Sequence, residues 1–120
     1  MKSILIVDDS ATVRKVVSMS LNGQGYALTE ASDGHEGFLK AKSKNFDCVI
    51  TDVNMPNKDG ITLIKELRAL PVYKKTPMLI ITTETNPTKM QFAKDAGATG
   101  WIVKPFTPEQ LIQTVKKVIS

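Results

Sequence analysis

The chain has 120 residues, enough for one domain (residues 1–120) with an ordinary core, and its 42% apolar and 23% charged residues are those of a globular protein. No apolar run approaches the roughly 20 residues of a membrane span, no signal-peptide pattern opens the chain, and one cysteine, Cys48, excludes an internal disulfide. A cytoplasmic setting is therefore expected. Sixteen Lys and Arg against twelve Asp and Glu give a net charge of +4. These bases are scattered, Lys40, Lys42 and Lys44 in one stretch and Lys116 and Lys117 in another, without interleaved aromatics, so solvated helix faces are expected and no nucleic-acid surface.

Residues 3–7 form a short apolar strand that runs directly into Asp8-Asp9-Ser10. Ser10 caps a helix to about Asn22, with Val13, Val16, Val17 and Leu21 on its apolar face and Gly23 and Gly25 ending it. Residues 26–31 predict a second strand, and Ser32-Asp33-Gly34 a turn into a helix through about Ser43, weakened by Gly34 and Gly37. The third strand, entered from Phe46, carries Asp52 at its carboxyl end and is followed by Asn54, Met55 and Pro56. Cys48 is expected to be a small buried residue of that strand. The Asn57-Lys58-Asp59-Gly60 turn leads to a helix with Ile64, Leu67 and Leu70 in register, closed before Pro71.

Residues 77–83 predict the fourth strand. Asn86-Pro87 caps and opens a helix to about Ala96, closed by Gly97. Residues 100–104 predict the fifth strand, and Thr107-Pro108-Glu109-Gln110 combines an N-cap, a first-turn proline and a capping-box partner for the last helix, with Leu111, Val115 and Val118 on its apolar face. Five βα units predict an α/β fold, a doubly wound, five-stranded parallel sheet of order 2-1-3-4-5. Its crevice lies between strands 1 and 3, whose ends are Asp8-Asp9 and Asp52.

Three carboxylates in one small pocket repel one another, and a hard divalent cation with oxygen ligands resolves this; no His or Cys nearby suggests zinc. Lys104 brings a positive charge to the same edge and Thr82 and Thr83 bring hydroxyls. Carboxylates, a cation, a lysine and a hydroxyl are what phosphoryl transfer uses. Asp52, alone on the central strand, is the expected acceptor, and the adjacent Asp8 and Asp9 the expected metal pair.

The segments 5–10, 52–56 with Asp59-Gly60, 82–84, 96–98 and 104–106 together resemble the receiver domain of two-component response regulators. The resemblance spans essentially the whole chain, and since the sequence stops after its fifth helix it resembles the single-domain chemotaxis CheY type, itself a standard example of the flavodoxin-like strand order. It implies that Asp52 accepts a phosphoryl group from a phosphohistidine on a sensor histidine kinase, CheA-like in chemotaxis. It further implies that Mg²⁺ is bound by Asp9, Asp52 and the backbone carbonyl of Asn54, with Asp8 acting largely through water. Thr82 and Lys104 would each meet a phosphoryl oxygen. The aromatic at position 101 would move inward and alter the face made by the fourth helix, fifth strand and fifth helix, which signals to a separate partner such as a flagellar motor switch protein.

Two positions depart from that pattern. Trp101 stands where the best-known chemotaxis member has Tyr, and Thr83 where the family often has Ala, Gly or Ser. Asn54 and Glu84, which modulate hydrolysis in the family, have the types of a fast-dephosphorylating member, so a short-lived phosphoryl state is expected, with or without a separate phosphatase. Other readings compete. A Mg²⁺-dependent aspartyl phosphatase would place a second acid two residues after its nucleophile, where this chain has Asn54. A phosphate sink or phosphorelay intermediate would share the site and differ in output. A flavin site would need a first loop free of acids, unlike Asp8-Asp9.

Overall fold

A computed structural model describes residues 1–119. Five βα units follow in order: β1 Lys2–Val7, α1 Ala11–Leu21, β2 Tyr26–Ala31, α2 Gly34–Ser43, β3 Cys48–Thr51, α3 Gly60–Arg68, β4 Met78–Thr82, α4 Pro87–Ala96, β5 Gly100–Val103 and α5 Pro108–Ile119, with a 3-10 turn at Pro71–Tyr73. The strands pair in parallel in the order β2-β1-β3-β4-β5, the doubly wound arrangement expected.

Strand side chains alternate faces, so the sheet feeds two cores. Leu5, Val7, Val49, Met78 and Ile80 face Leu63, Ile64 and Leu67 of α3, Ala41 of α2 and Ala93 of α4. Ile4, Ile6, Cys48, Ile50, Leu79 and Ile81 face Val17 and Leu21 of α1 and Leu111 and Val115 of α5. Each fully buried large aliphatic contributes about 1.5–3 kcal/mol relative to exposure. Cys48 is fully buried, and burial pushes its thiol up to about 12, as befits an inert core residue.

The strand-to-helix loops end in helix caps. The N–H of Val13 donates to Ser10 Oγ (3.2 Å), Glu36 to Asp33 Oδ1 (2.8 Å), Thr62 to Asp59 Oδ1 (2.7 Å) and Thr88 to Asn86 Oδ1 (2.8 Å). Thr107 and Gln110 cap each other reciprocally, at 2.9 and 3.1 Å. Every such loop lies at the carboxyl edge of the sheet.

Three local expectations are corrected. Val16 is 47% exposed, because α1 packs on the sheet face through Val17 and Leu21 and Val16 falls outside that arc. Leu70 lies beyond the end of α3 and caps the 3-10 turn that Pro71 starts. Gly34 does not weaken α2: its missing Cβ admits the Lys58 carbonyl oxygen, which would stand 2.3 Å from it, bringing α2 against the loop after β3.

Candidate functional site

Val7 of β1 and Thr51 of β3 are register partners, so Asp8 and Asp52 leave the sheet side by side. Asp52 lies one residue past β3, its N–H still donating to Val7 O at 3.1 Å. Ligand oxygens of Asp8, Asp9 and Asp52 all lie within 4.8 Å of one another. Asp8 and Asp52 are buried while Asp9 is exposed at the mouth. Lys104, just past β5, donates to Asp52 Oδ2 at 3.0 Å and Asp8 Oδ2 at 3.2 Å. The other oxygens of these carboxylates accept backbone N–H groups, Asp52 Oδ1 from Val53 (2.6 Å) and Asp8 Oδ1 from Ser10 (2.9 Å).

One ammonium serves two buried carboxylates. Burial pushes Asp8 above the ordinary 3.8, against the pull of the Ser10 N–H and of Lys104. Burial also works against the charge on Lys104, but hydrogen bonds and Coulomb attraction from Asp52 and Asp8 together outweigh it and hold its pKa above 10.5. Lys104 thus gains from both acids, whereas Asp8 receives only part of one cation. With all groups ionised the pocket retains a surplus of negative charge, and its donors are all oxygen. This donor set fits a hard divalent cation.

The loop after β3 closes tightly on Asp52. Gly60 donates to Val53 O at 2.9 Å, and a Cβ at Gly60 would lie 1.8 Å from the Asp52 carbonyl oxygen, so only glycine fits. Thr82 ends β4 on the neighbouring strand, buried, with its Oγ1 accepting the Glu84 N–H at 3.2 Å; its carbonyl accepts the Lys104 N–H at 2.8 Å. Thr83 is exposed. Asn54 and Glu84 meet through a residue that sequence reasoning did not single out: Lys89 of α4 donates to Asn54 Oδ1 at 3.3 Å and pairs with Glu84 at 3.2 Å. The hydrogen bond from Lys89, and then the Asn86 N–H, hold Glu84 below the usual carboxylate range.

Trp101, register partner of Ile80, packs partly buried against the core that contains Leu63 and Ala93. Its Nε1 is buried and has no hydrogen-bond partner among the described residues. A cavity of about 430 Å³ opens beside it between α4 and β5, lined by Met90, Lys94, Ala98 and Gly100 among others. Arg14 also went unremarked in the sequence: it lies on α1 and donates to the Asp8 carbonyl oxygen at 2.6 Å. Its one signal was a charge set between Val13 and Val17 on the sheet-facing side of an amphipathic helix.

Sheet order and the acids, hydroxyl and lysine at one edge define a flavodoxin-like α/β protein of the receiver class, a signalling switch in design. The family model of the response regulator receiver domain matches residues 4–116, and the chain belongs to that family. Within it, the chain is 42% identical over 118 residues to chemotaxis protein CheY-3 of Vibrio cholerae, covering 98% of this chain and 91% of the relative. It is 39% identical to chemotaxis protein CheY of Pseudomonas aeruginosa, covering 98% and 95%. The structure of chemotaxis protein CheY4 of Vibrio cholerae superposes with a TM-score of 0.93 at 47% identity, over 98% of both chains. The chain is thus a receiver of the chemotaxis CheY type. No helix among the described residues is long and apolar enough to cross a membrane.

Proposed function

We propose that residues 1–120 act as one receiver unit in the cytoplasm, in which Asp52 accepts a phosphoryl group from the phosphohistidine of a CheA-like sensor histidine kinase. An Asp52 carboxylate oxygen forms the new P–O bond while the P–N bond breaks, and the imidazole nitrogen keeps the electron pair. Asp9, Asp52 and the Asn54 carbonyl would hold Mg²⁺, with Asp8 acting through water; the bound ion neutralises charge on the transferred group. Lys104 would pass from its carboxylate partners to a phosphoryl oxygen, and the Thr82 hydroxyl would donate to another. The observation that carries this reading is the Lys104 ammonium, 3.0 Å from Asp52 and 3.2 Å from Asp8, already standing where an acyl phosphate would need a cation.

The output follows from Trp101. A buried N–H without an acceptor costs about 1–3 kcal/mol, which offsets part of what Trp101 gains by packing against the core and would make it the side chain to shift when Thr82 turns. The altered α4-β5-α5 face, with its cavity, would engage a partner such as a flagellar motor switch protein; no nucleic acid or membrane takes part. Asn54, Thr83 and Glu84 would set how fast the phosphoryl group is lost, which we expect to be fast, unaided or with a phosphatase.

Incubation with acetyl phosphate and Mg²⁺ should label the protein and leave Asp52→Asn unlabelled, and beryllofluoride should change the fluorescence of Trp101, the only tryptophan. Label retained in Asp52→Asn would overturn the assignment. Steady turnover of small phosphoesters would favour an aspartyl phosphatase instead.

A further inference from the structure

We propose that Arg14 is a positioning residue for the metal-binding acids: its guanidinium fixes the Asp8-Asp9 peptide and so aims both carboxylates. The inference rests on the reading of the acidic pocket as a Mg²⁺ site.

The need for such a group comes from where the sheet ends. The Asp8 N–H still donates to Ala31 O at 3.1 Å, the last bond of the β1-β2 ladder. Beyond Ala31 the chain turns away, and the Ser32 N–H is taken by Glu36 Oε1 at 2.5 Å. The Asp8 carbonyl is therefore left without a strand partner at the point where the acids project. Arg14 supplies the donor, at 2.6 Å from Nη1. The guanidinium is itself held, because Nε donates to Glu30 Oε1 on β2 at 3.1 Å and Ser18 donates to Glu30 Oε2 at 3.2 Å. Its side chain is only 18% exposed. One rigid fork thus joins α1, β2 and the end of β1, which a lysine's single ammonium does less well.

The Asp8 carbonyl and the Asp9 N–H belong to one planar peptide. Holding the carbonyl sets the direction in which the Asp9 side chain leaves, and the exposed Asp9 side chain finds no hydrogen-bond partner of its own among the described residues that would do so. Mg²⁺ demands near-ideal octahedral geometry, whereas Ca²⁺ tolerates displaced ligands. Loss of the clamp should therefore penalise the smaller ion selectively.

The test is calorimetric titration of the full chain with Mg²⁺ and Ca²⁺ at fixed ionic strength, with thermal melts of each variant. Arg14→Gln should bind Mg²⁺ about tenfold more weakly, with a smaller loss for Ca²⁺, and Arg14→Lys should fall between it and wild type. Lys15→Gln, which removes a charge from the adjacent exposed position, should bind Mg²⁺ no more weakly than wild type. A merely Coulombic role predicts the reverse for Arg14→Gln, since removing a cation beside three acids tightens both ions. Unchanged or tighter Mg²⁺ binding, or equal losses for the two ions, would overturn the inference and leave the phosphoacceptor reading intact. Should Arg14→Gln not fold, Arg14→Lys decides by the same ratio. A wild-type protein that binds no Mg²⁺ would overturn both.

Discussion

Replacing Lys104 by Met tests whether that lysine is the counterion of the ion-free pocket. Its side chain is 15% exposed and those of Asp8 and Asp52 are 5% and 11%, so solvent screens the pairs little. At 3.0–3.2 Å and an effective dielectric of 20, each contact is a Coulomb attraction of about 5 kcal/mol before desolvation. Breaking a buried pair costs about 3–5 kcal/mol net. The loss here should lie at the low end, about 3 kcal/mol, because each carboxylate keeps a backbone N–H donor when the cation is gone, Asp52 from Val53 and Asp8 from Ser10. Urea unfolding at neutral pH in EDTA reads this directly. Mg²⁺ should then stabilise the variant more than wild type, because the ion no longer competes with an ammonium for the same two carboxylates. At free ion 100 times Kd the gain is about 2.7 kcal/mol. A variant as stable as wild type in EDTA, with the same slope, would show that the two contacts carry no net energy and would refute the reasoning.

Gly60→Ala changes no proposed ligand, yet its Cβ would lie 1.8 Å from the Asp52 carbonyl oxygen and 2.9 Å from the carbonyl carbon. Backbone must move, and we expect a loss of about 3 kcal/mol in urea unfolding together with weaker Mg²⁺ binding; wild-type values for both would mean that the approach is not that close. pH enters through two groups with raised pKa values. Asp8 titrates above 3.8, so as pH falls its proton competes with Mg²⁺ earlier than at an ordinary carboxylate, and affinity should decline through a window opening above 3.8, flattened in Asp8→Asn. The stability from Lys104 is fully present below 10.5 and lost as pH rises through its raised value, so alkaline melts should fall less steeply in Lys104→Met.

Fold and acid cluster were legible in the sequence because both are written in short-range signals. Strand and helix periods, the caps at Ser10, Asn86 and Thr107 and the strand ends Asp8-Asp9, Asp52, Thr82 and Lys104 each occupy a few adjacent residues, and the parallel sheet turns adjacency at strand ends into adjacency in space. What escaped is set by contacts between distant positions. Lys89 reaches Asn54 across 35 residues and Arg68 reaches Gly97 across 29. Tyr73, whose hydroxyl joins the Ala41 and Lys44 carbonyls at 2.6 and 2.7 Å, had no motif to announce it. Val16 was misplaced because a 3.6-residue period defines a stripe but not its width.

Lys89 and Arg68, two of the contacts missed in the sequence, anchor opposite ends of α4, and they are unequal. At its carboxyl end, Arg68 donates to Gly97 O at 3.1 and 2.8 Å while also holding Tyr73 O at 2.6 Å, in a partly buried setting. Charged hydrogen bonds of this kind are worth about 1.5–3 kcal/mol each. At its amino end, Lys89 is 44% exposed, and its pair with Glu84 belongs to the class worth about 0–1 kcal/mol. The weaker anchor is the one tied to Asn54, two residues from the proposed acceptor. On the proposed function, a change in charge at Asp52 would act on α4 at this weaker anchor, and Lys89→Met should alter the Trp101 fluorescence response to beryllofluoride while Arg68→Met mainly lowers stability in urea unfolding.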